Sequence, residues 1–246
     1  MVAGNDSNWL CAICGFKNEP DFPSRESMLC RSCSSTWRNR ATVLSVTTSI
    51  SGSQSSLSAL EPNWSIRGIG LSDHPPVSSN LATRYMFTNT HYHAFPRLDI
   101  RQPPWELVGT ANFVICCDVL EHVPPPVDSA LAGLRSILNE SFGFAVISVP
   151  TMNRPDTDEY YPGLTDWETE ENGSVIWTDD KGTKHRDPNP EYHGGGGQTL
   201  TFREWSMTDL SERLLTAGFS RVEPHVVNDH LGVPALGNAG MVIAWA

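Results

Sequence analysis

Nowhere in the 246 residues is there an apolar run approaching the roughly 18–20 needed to span a bilayer, so no membrane-spanning helix is expected. The opening segment "MVAGNDSNWLCAICG" lacks a basic region followed by an apolar core, and no secretory signal is expected there. Positive charge is scarce. The formal net charge is −11, which disfavours broad electrostatic attraction to nucleic acid or to an anionic membrane. These absences leave a cytoplasmic protein as the expectation, with nucleic acid and membrane disfavoured as partners, and they say nothing about oligomeric state.

Cysteine is also sparse, and its six positions fall into two groups. Cys116 and Cys117 lie inside the apolar run "FVICC" and read as small packed hydrophobes; a strained vicinal disulfide is the alternative, disfavoured in a reducing compartment. The other four form "CAIC", Cys11 to Cys14, and "CRSC", Cys30 to Cys33. Each C-x-x-C turn aims two sulfurs at one point, and two such turns can close a tetrahedron around Zn²⁺. Gly15 suits the tight turn. The intervening "GFKNEPDFPSRESML" has too few apolar residues to fold alone, so bound zinc would provide much of the folding free energy. Four thiolates leave no open coordination position, which makes the predicted zinc structural. Residues 1–40 are read as this zinc-ribbon module, and 41–246 as the body. Arg25, Arg31, Arg38 and Arg40 would give the module a local positive balance, either solvated or in contact with a partner.

Residues 36–49, "TWRNRATVLSVTTS", suit a helix or a strand; so short a piece cannot be decided by periodicity. From residue 64 strand-like and helix-like segments alternate. "SIRGIGLSD" is a strand ending at Asp73, "VSSNLATRY" a short helix, "YMFTNTHYH" a strand, and "PRLDI" ends in Asp99. "ANFVICCD" is a strand ending at Asp118, "VDSALAGLRSIL" a helix, and "FGFAVISVP" a strand stopped by Pro150. "SMTDLSERLLTAGF" is a helix with Ser206 as N-cap and Gly218 at its end, and "RVEPHVV" and "GMVIAWA" close the chain as strands. Continuous apolar strands alternating with helices predict an α/β fold with a mostly parallel, doubly wound sheet. Ligands bind such sheets beyond the carboxyl ends of the strands, where Asp73, Asp99 and Asp118 are expected.

The segments "GLSD", "RLDI", "FVICCDVLEHV" and "FREWSMTDLSERLLTAGFSRV" together resemble the class I S-adenosylmethionine-dependent methyltransferases, small-molecule branch, over residues 64–246. The resemblance implies a Rossmann-like fold and methyl transfer to a small acceptor such as a sugar or secondary metabolite. It places Asp73 after the second strand, on the ribose, and Asp99 after the third, on the adenine amine. Cofactor contacts are implied for Gly70, Asp73, Asp99, Ile100, Cys117 and Asp118. The glycine-rich turn that the family carries after its first strand is missing: residues 68–70 lie within the strand leading to Asp73. "SISGSQ", residues 49–54, is the only segment in position.

Acceptor chemistry at oxygen needs a proton acceptor, for which His122, His193 and His185 are the candidates, with Glu121 orienting an imidazole or capping the next helix. Residues 151–200 are too long for an idle connector. Their aromatics and the tetraglycine Gly194–Gly197 suggest a hinged lid or acceptor pocket over Asp118, Glu121 and His122, into which His193 reaches; a partly ordered excursion is the other reading. Two further functions stay open: a binding protein that has lost catalysis with its glycine turn, and an RNA or protein methyltransferase that grips its substrate with the ribbon.

Overall fold

The computed structural model describes residues 8–19, 28–152, 154–193, 199–235 and 240–246. Two short strands, Trp9–Leu10 and Lys17–Asn18, pair antiparallel and bring the first C-x-x-C turn against the second. Helix α1, Trp37–Ser51, follows directly. Thr36 caps it reciprocally with Asn39, and Gly52 ends it in the left-handed conformation, so local end signals settle the helix-or-strand ambiguity in favour of helix.

Next come β1, Asn63–Leu71; α2, Pro75–Leu81; β2, Tyr85–Thr90; β3, Phe113–Cys117; α3, Asp128–Ile137; and β4, Phe144–Ser148. The segment after β4 contains an antiparallel meander of β5, Asp166–Thr169, β6, Val175–Thr178, and β7, Lys184–Asp187. Then follow β8, Arg203–Ser206; α4, Met207–Thr216; β9, Arg221–Pro224; and β10, Met241–Trp245. Ser206 caps α4 by accepting from the Asp209 amide, as its sequence predicts.

The main sheet has the order β9-β10-β4-β3-β1-β2. β2, β1, β3 and β4 are parallel, and β10 is antiparallel to both β4 and β9. Both faces are covered, which fulfils the expected doubly wound α/β class. Ile69, Leu71, Val114, Cys116, Ala145 and Ile147 pack with α3 and α4 on one face. Phe113, Ile115, Phe144 and Val146 pack on the other with α1, α2 and the cysteine knuckle. Period-two alternation thus splits each strand between two cores. Gly68 on β1 leaves the space in which Phe113 stacks on Phe87, with ring centroids 5.8 Å apart; a Cβ there would lie 2.1 Å from the Phe113 ring.

Three expectations need correction. Because residues 37–51 are helical, β1 is the first strand of the main sheet, so Asp73 follows the first strand and not the second. For the same reason "SISGSQ" is a helix end rather than a turn after a strand. Asp99 does not end a strand of the main sheet: after β2 the chain makes a single bridge, His91 to Arg97, before Leu98 and Ile100 enter the α3-side core.

The 151–200 segment has its own small core, in which Tyr161, Leu164, Val175, Trp177, Leu200 and Phe202 are buried together. Its aromatics are largely used there. The tetraglycine and Arg25 lie outside the described residues.

Candidate active site and cysteine knuckle

The chain leaves β1 for β2 on one side and returns to β3 on the other, which opens a crevice at the carboxyl ends of these strands. A cavity of about 600 Å³ lies there, a size typical of small-molecule sites. Its walls come from the turn Leu71–His74 after β1, Cys117–Val119 after β3, Pro150 after β4, and Thr36, Arg38, Asn39 and Thr42 of α1 and its cap. Glu121, His122 and His193 line it as well, as do Ser34, Pro76 and Val77.

Of the residues expected around a cofactor, Asp73, Cys117 and Asp118 line the cavity. Gly70, Asp99 and Ile100 are not in its lining. Asp99 is gripped by its own neighbour: Arg101 donates Nε to Oδ1 at 3.1 Å and Nη2 to Oδ2 at 2.8 Å, holding the carboxyl below the usual range. A nucleoside amine would have to displace that guanidinium.

Asp73 folds back over Gly70, where a Cβ would lie 2.2 Å from the Asp73 Oδ2. The turn is fixed by a reciprocal pair with Asn89 at the end of β2: the Asp73 amide donates to Asn89 Oδ1, and Asn89 Nδ2 donates to the Asp73 carbonyl. Asp73 Oδ2 is sealed from solvent without a partner, and burial pushes the carboxyl up to about 8. A raised carboxyl pKa destabilises the fold progressively as pH rises from the unfolded value near 4 to about 8. Asp73→Asn is therefore expected to stabilise the chain by on the order of 2–4 kcal/mol at pH 8, the gain vanishing near pH 4. Urea denaturation at both pH values checks this.

Asp118 sits just after β3 at φ +54°, an uncommon conformation for a residue with a side chain. Its carboxylate receives the guanidinium of Arg38, a buried residue of α1 whose Nε has no partner. Cys117 lies within 3.6 Å of the Thr42 hydroxyl, and burial raises its thiol to about 12, which makes it a packed wall rather than a nucleophile. Arg38 is not legible in the sequence as a site residue, because its partner is 80 positions away in the chain.

Glu121 and His122 form a single tight turn, Leu120–His122, after β3. Arg203 holds it: fully buried, this residue of β8 donates Nη1 to the carbonyls of Leu120 and Val123 at 2.7 and 2.6 Å and Nε to Glu159 at 2.9 Å. Glu121 is 1% exposed with neither carboxyl oxygen bonded, and burial pushes it up to about 8. His122 donates Nδ1–H to the Leu200 carbonyl at 2.9 Å, which leaves Nε2 for another partner, and burial lowers its pKa. Its ring meets His193 edge to face at 5.5 Å between centroids. His185, in contrast, is not in the cavity lining: it stacks on Trp177 at 4.2 Å and pairs with Asp179 at 2.9 Å.

The four N-terminal cysteines converge on the α1 side. Their sulfurs lie within 4.8 Å of one another, with Cys11–Cys33 at 3.7 Å and Cys14–Cys30 at 3.6 Å. A tetrahedron of thiolates about 2.3 Å from zinc has edges of about 3.8 Å, so the arrangement fits that ion. Among the described residues the expected basic face does not form. Arg31 pairs with Glu19 at 3.0 Å, Arg38 turns to Asp118, and Arg40 is fully buried. Arg40 lies 4.2 Å over the Trp9 ring and donates to the carbonyls of Gly232, Met28 and Ser35. Its cation offsets the negative charge of the four sulfurs.

The chain matches no protein-family model and no curated protein. Among solved structures it is similar to a 1,6-didemethyltoxoflavin-N1-methyltransferase of Burkholderia thailandensis with bound S-adenosylhomocysteine, at 12% identity over 85% of this chain and 76% of that one, TM-score 0.45. It is also similar to the sugar N-methyltransferase KedS8 of Streptoalloteichus sp., at 11% identity over 74% and 80% of the two chains, TM-score 0.43. A third is a S-adenosylmethionine-dependent methyltransferase of Clostridium acetobutylicum, at 9% identity over 73% and 82%, TM-score 0.42. Likeness at this level carries no functional weight, and the reading of the site rests on its own residues. Among the described residues no helix is long and apolar enough to cross a membrane.

Proposed function

We propose that the chain transfers a methyl group from S-adenosylmethionine to a small-molecule acceptor, with a structural zinc ion held by Cys11, Cys14, Cys30 and Cys33. The observation that carries the methyl-transfer reading is the donor set at the switch point of the sheet: a buried guanidinium, Arg38, beside two carboxyls, Asp73 and Asp118, in one cavity. That combination suits the carboxylate and ammonium of an amino-acid moiety. Bound there, S-adenosylmethionine would supply an electrophilic methyl carbon for the acceptor. The residues of this chain bind and align the reactants. Arg38 takes the carboxylate, Asp118 takes the ammonium, Asp73 forms the cavity wall beside them, and the cluster of Glu121, His122 and His193 removes the acceptor's proton. Among the described residues of the 151–200 segment, His193 is the one in the cavity lining, which supports a contribution of that segment to the acceptor side.

Calorimetric titration with S-adenosylhomocysteine tests the reading. The intact chain is expected to bind, and Arg38→Met to bind about tenfold or more weakly, the cost of leaving one charged partner unpaired being about 1–3 kcal/mol. No binding at millimolar ligand would refute the reading and favour a repurposed binding protein.

A further inference from the structure

The cluster at the cavity floor has the composition of a metal site. We infer that Glu121, His122 and His193 hold a divalent transition-metal ion, zinc being the one their donor set fits, separate from the four-cysteine ion. One ligand atom from each residue lies within 4.8 Å of the others, and His122 Nε2 is 3.8 Å from Glu121 Oε1. Ligands about 2.0–2.2 Å from zinc stand about 3.4 Å apart in a tetrahedron, so the His122–Glu121 edge needs to close by about 0.4 Å, and the edges to His193 by at most about 1.4 Å. Glu121 presents two buried oxygens without any partner, an expensive arrangement that a cation would satisfy.

Each imidazole has one nitrogen engaged by an oxygen acceptor and the other left for a metal ion. His122 directs Nδ1 at the Leu200 carbonyl at 2.9 Å, which leaves Nε2 as the lone-pair nitrogen toward Glu121. His193 directs Nε2 at the Glu191 carboxylate at 2.7 Å, which leaves Nδ1 as its lone-pair nitrogen. A carbonyl or carboxylate on the far nitrogen fixes the tautomer and raises the basicity of a metal-binding histidine. Two histidines and one carboxylate also leave coordination positions open, in contrast to the closed four-thiolate site.

In its role, though not in its existence, the ion rests on the methyl-transfer reading. An acceptor hydroxyl drawn to an open position would be acidified there, as zinc-bound water is, to about pKa 7. The acidified hydroxyl would then lose its proton to solvent water before its oxygen attacks, since the lone pairs of the three residues are held by the ion and no bare imidazole is left as base.

The test is metal content of the full chain after equilibration in buffered free zinc, with no cofactor or acceptor present. Two equivalents are expected for the intact protein. His193→Ala, on a partly exposed strand, should keep one equivalent and its thermal transition. Glu191→Gln should retain the second ion with affinity about 10–100-fold weaker. Cobalt substitution gives an independent reading, since the thiolate site has sulfur charge-transfer bands and the second site does not. A single equivalent in the intact chain, or a second equivalent unaffected by His193→Ala, would overturn the inference. Cofactor titration is a separate measurement. Two ions without cofactor binding sustain the site and sink the methyl-transfer reading, while cofactor binding with one ion does the reverse.

Discussion

Removing zinc from the cysteine knuckle is expected to lower the melting temperature by about 10–20 °C and to abolish ligand binding at the cavity. The knuckle is built into one face of the main sheet. Trp9, Cys11, Ala12, Ile13, Met28 and Cys30 share a core with Trp37 and Leu44 of α1 and with Phe113 and Ile115 of β3. Main-chain bonds stitch it further: Leu57 donates to the Ala12 carbonyl at 2.8 Å, and Ala12 donates to the Leu231 carbonyl at 3.2 Å. Arg40 ties the carbonyls of Met28 and Ser35 to that of Gly232. Structural zinc is worth about 10–16 kcal/mol in small isolated domains. Even a third of that, about 5 kcal/mol, corresponds to about 10–20 °C for a chain of this size. Ligand binding goes too, because Ser34 and Thr36, which line the cavity, lie just after Cys33. Calorimetry with and without chelator, and on Cys30→Ser, checks both effects. An unchanged transition, or two intact disulfides by mass spectrometry, would remove the zinc from the account.

Arg203→Leu is expected to cost about 3–5 kcal/mol, the usual penalty for breaking a buried charge pair from one side. Glu159 and the carbonyls of Leu120 and Val123 lose their donor together. The turn carrying Glu121 and His122 then keeps only two bonds from the approach to β8, the Phe202 amide on the Glu121 carbonyl at 2.8 Å and His122 Nδ1 on the Leu200 carbonyl at 2.9 Å. Urea denaturation gives the stability loss. Hydrogen exchange should show faster opening confined first to residues 118–123 and their partners, whereas a purely global loss would accelerate exchange evenly. Equal stability of the variant would show that Arg203 does not clamp the turn.

Elements with local causes are legible in the amino-acid sequence. The C-x-x-C pairs announce their convergence because the short reach along the chain fixes two sulfurs per turn. Strands such as "FVICC" and "FAVIS" declare themselves by continuous apolar character, and α4 by its Ser206 cap. Residues 37–51 are ambiguous because threonine and valine suit either state; the caps at Thr36 and Gly52 and burial against the sheet decide for helix. That one difference moves Asp73 from the second strand to the first, and with it the glycine-turn position to Ser72–His74.

The fold class, the knuckle and the cluster of ionisable groups after β3 follow from the chain's own order of residues, since propensity, periodicity and short spacings act over a few residues. Which of those groups meet is a matter of tertiary packing. Arg38 reaches Asp118 across 80 positions, Arg203 reaches Leu120 across 83, and His193 rather than His185 joins His122. The folded chain also withholds Asp99, which Arg101 occupies from two residues away. Such juxtapositions depend on how helices and strands pack, where a side chain's partner is chosen by burial and charge satisfaction and not by its neighbours in the chain.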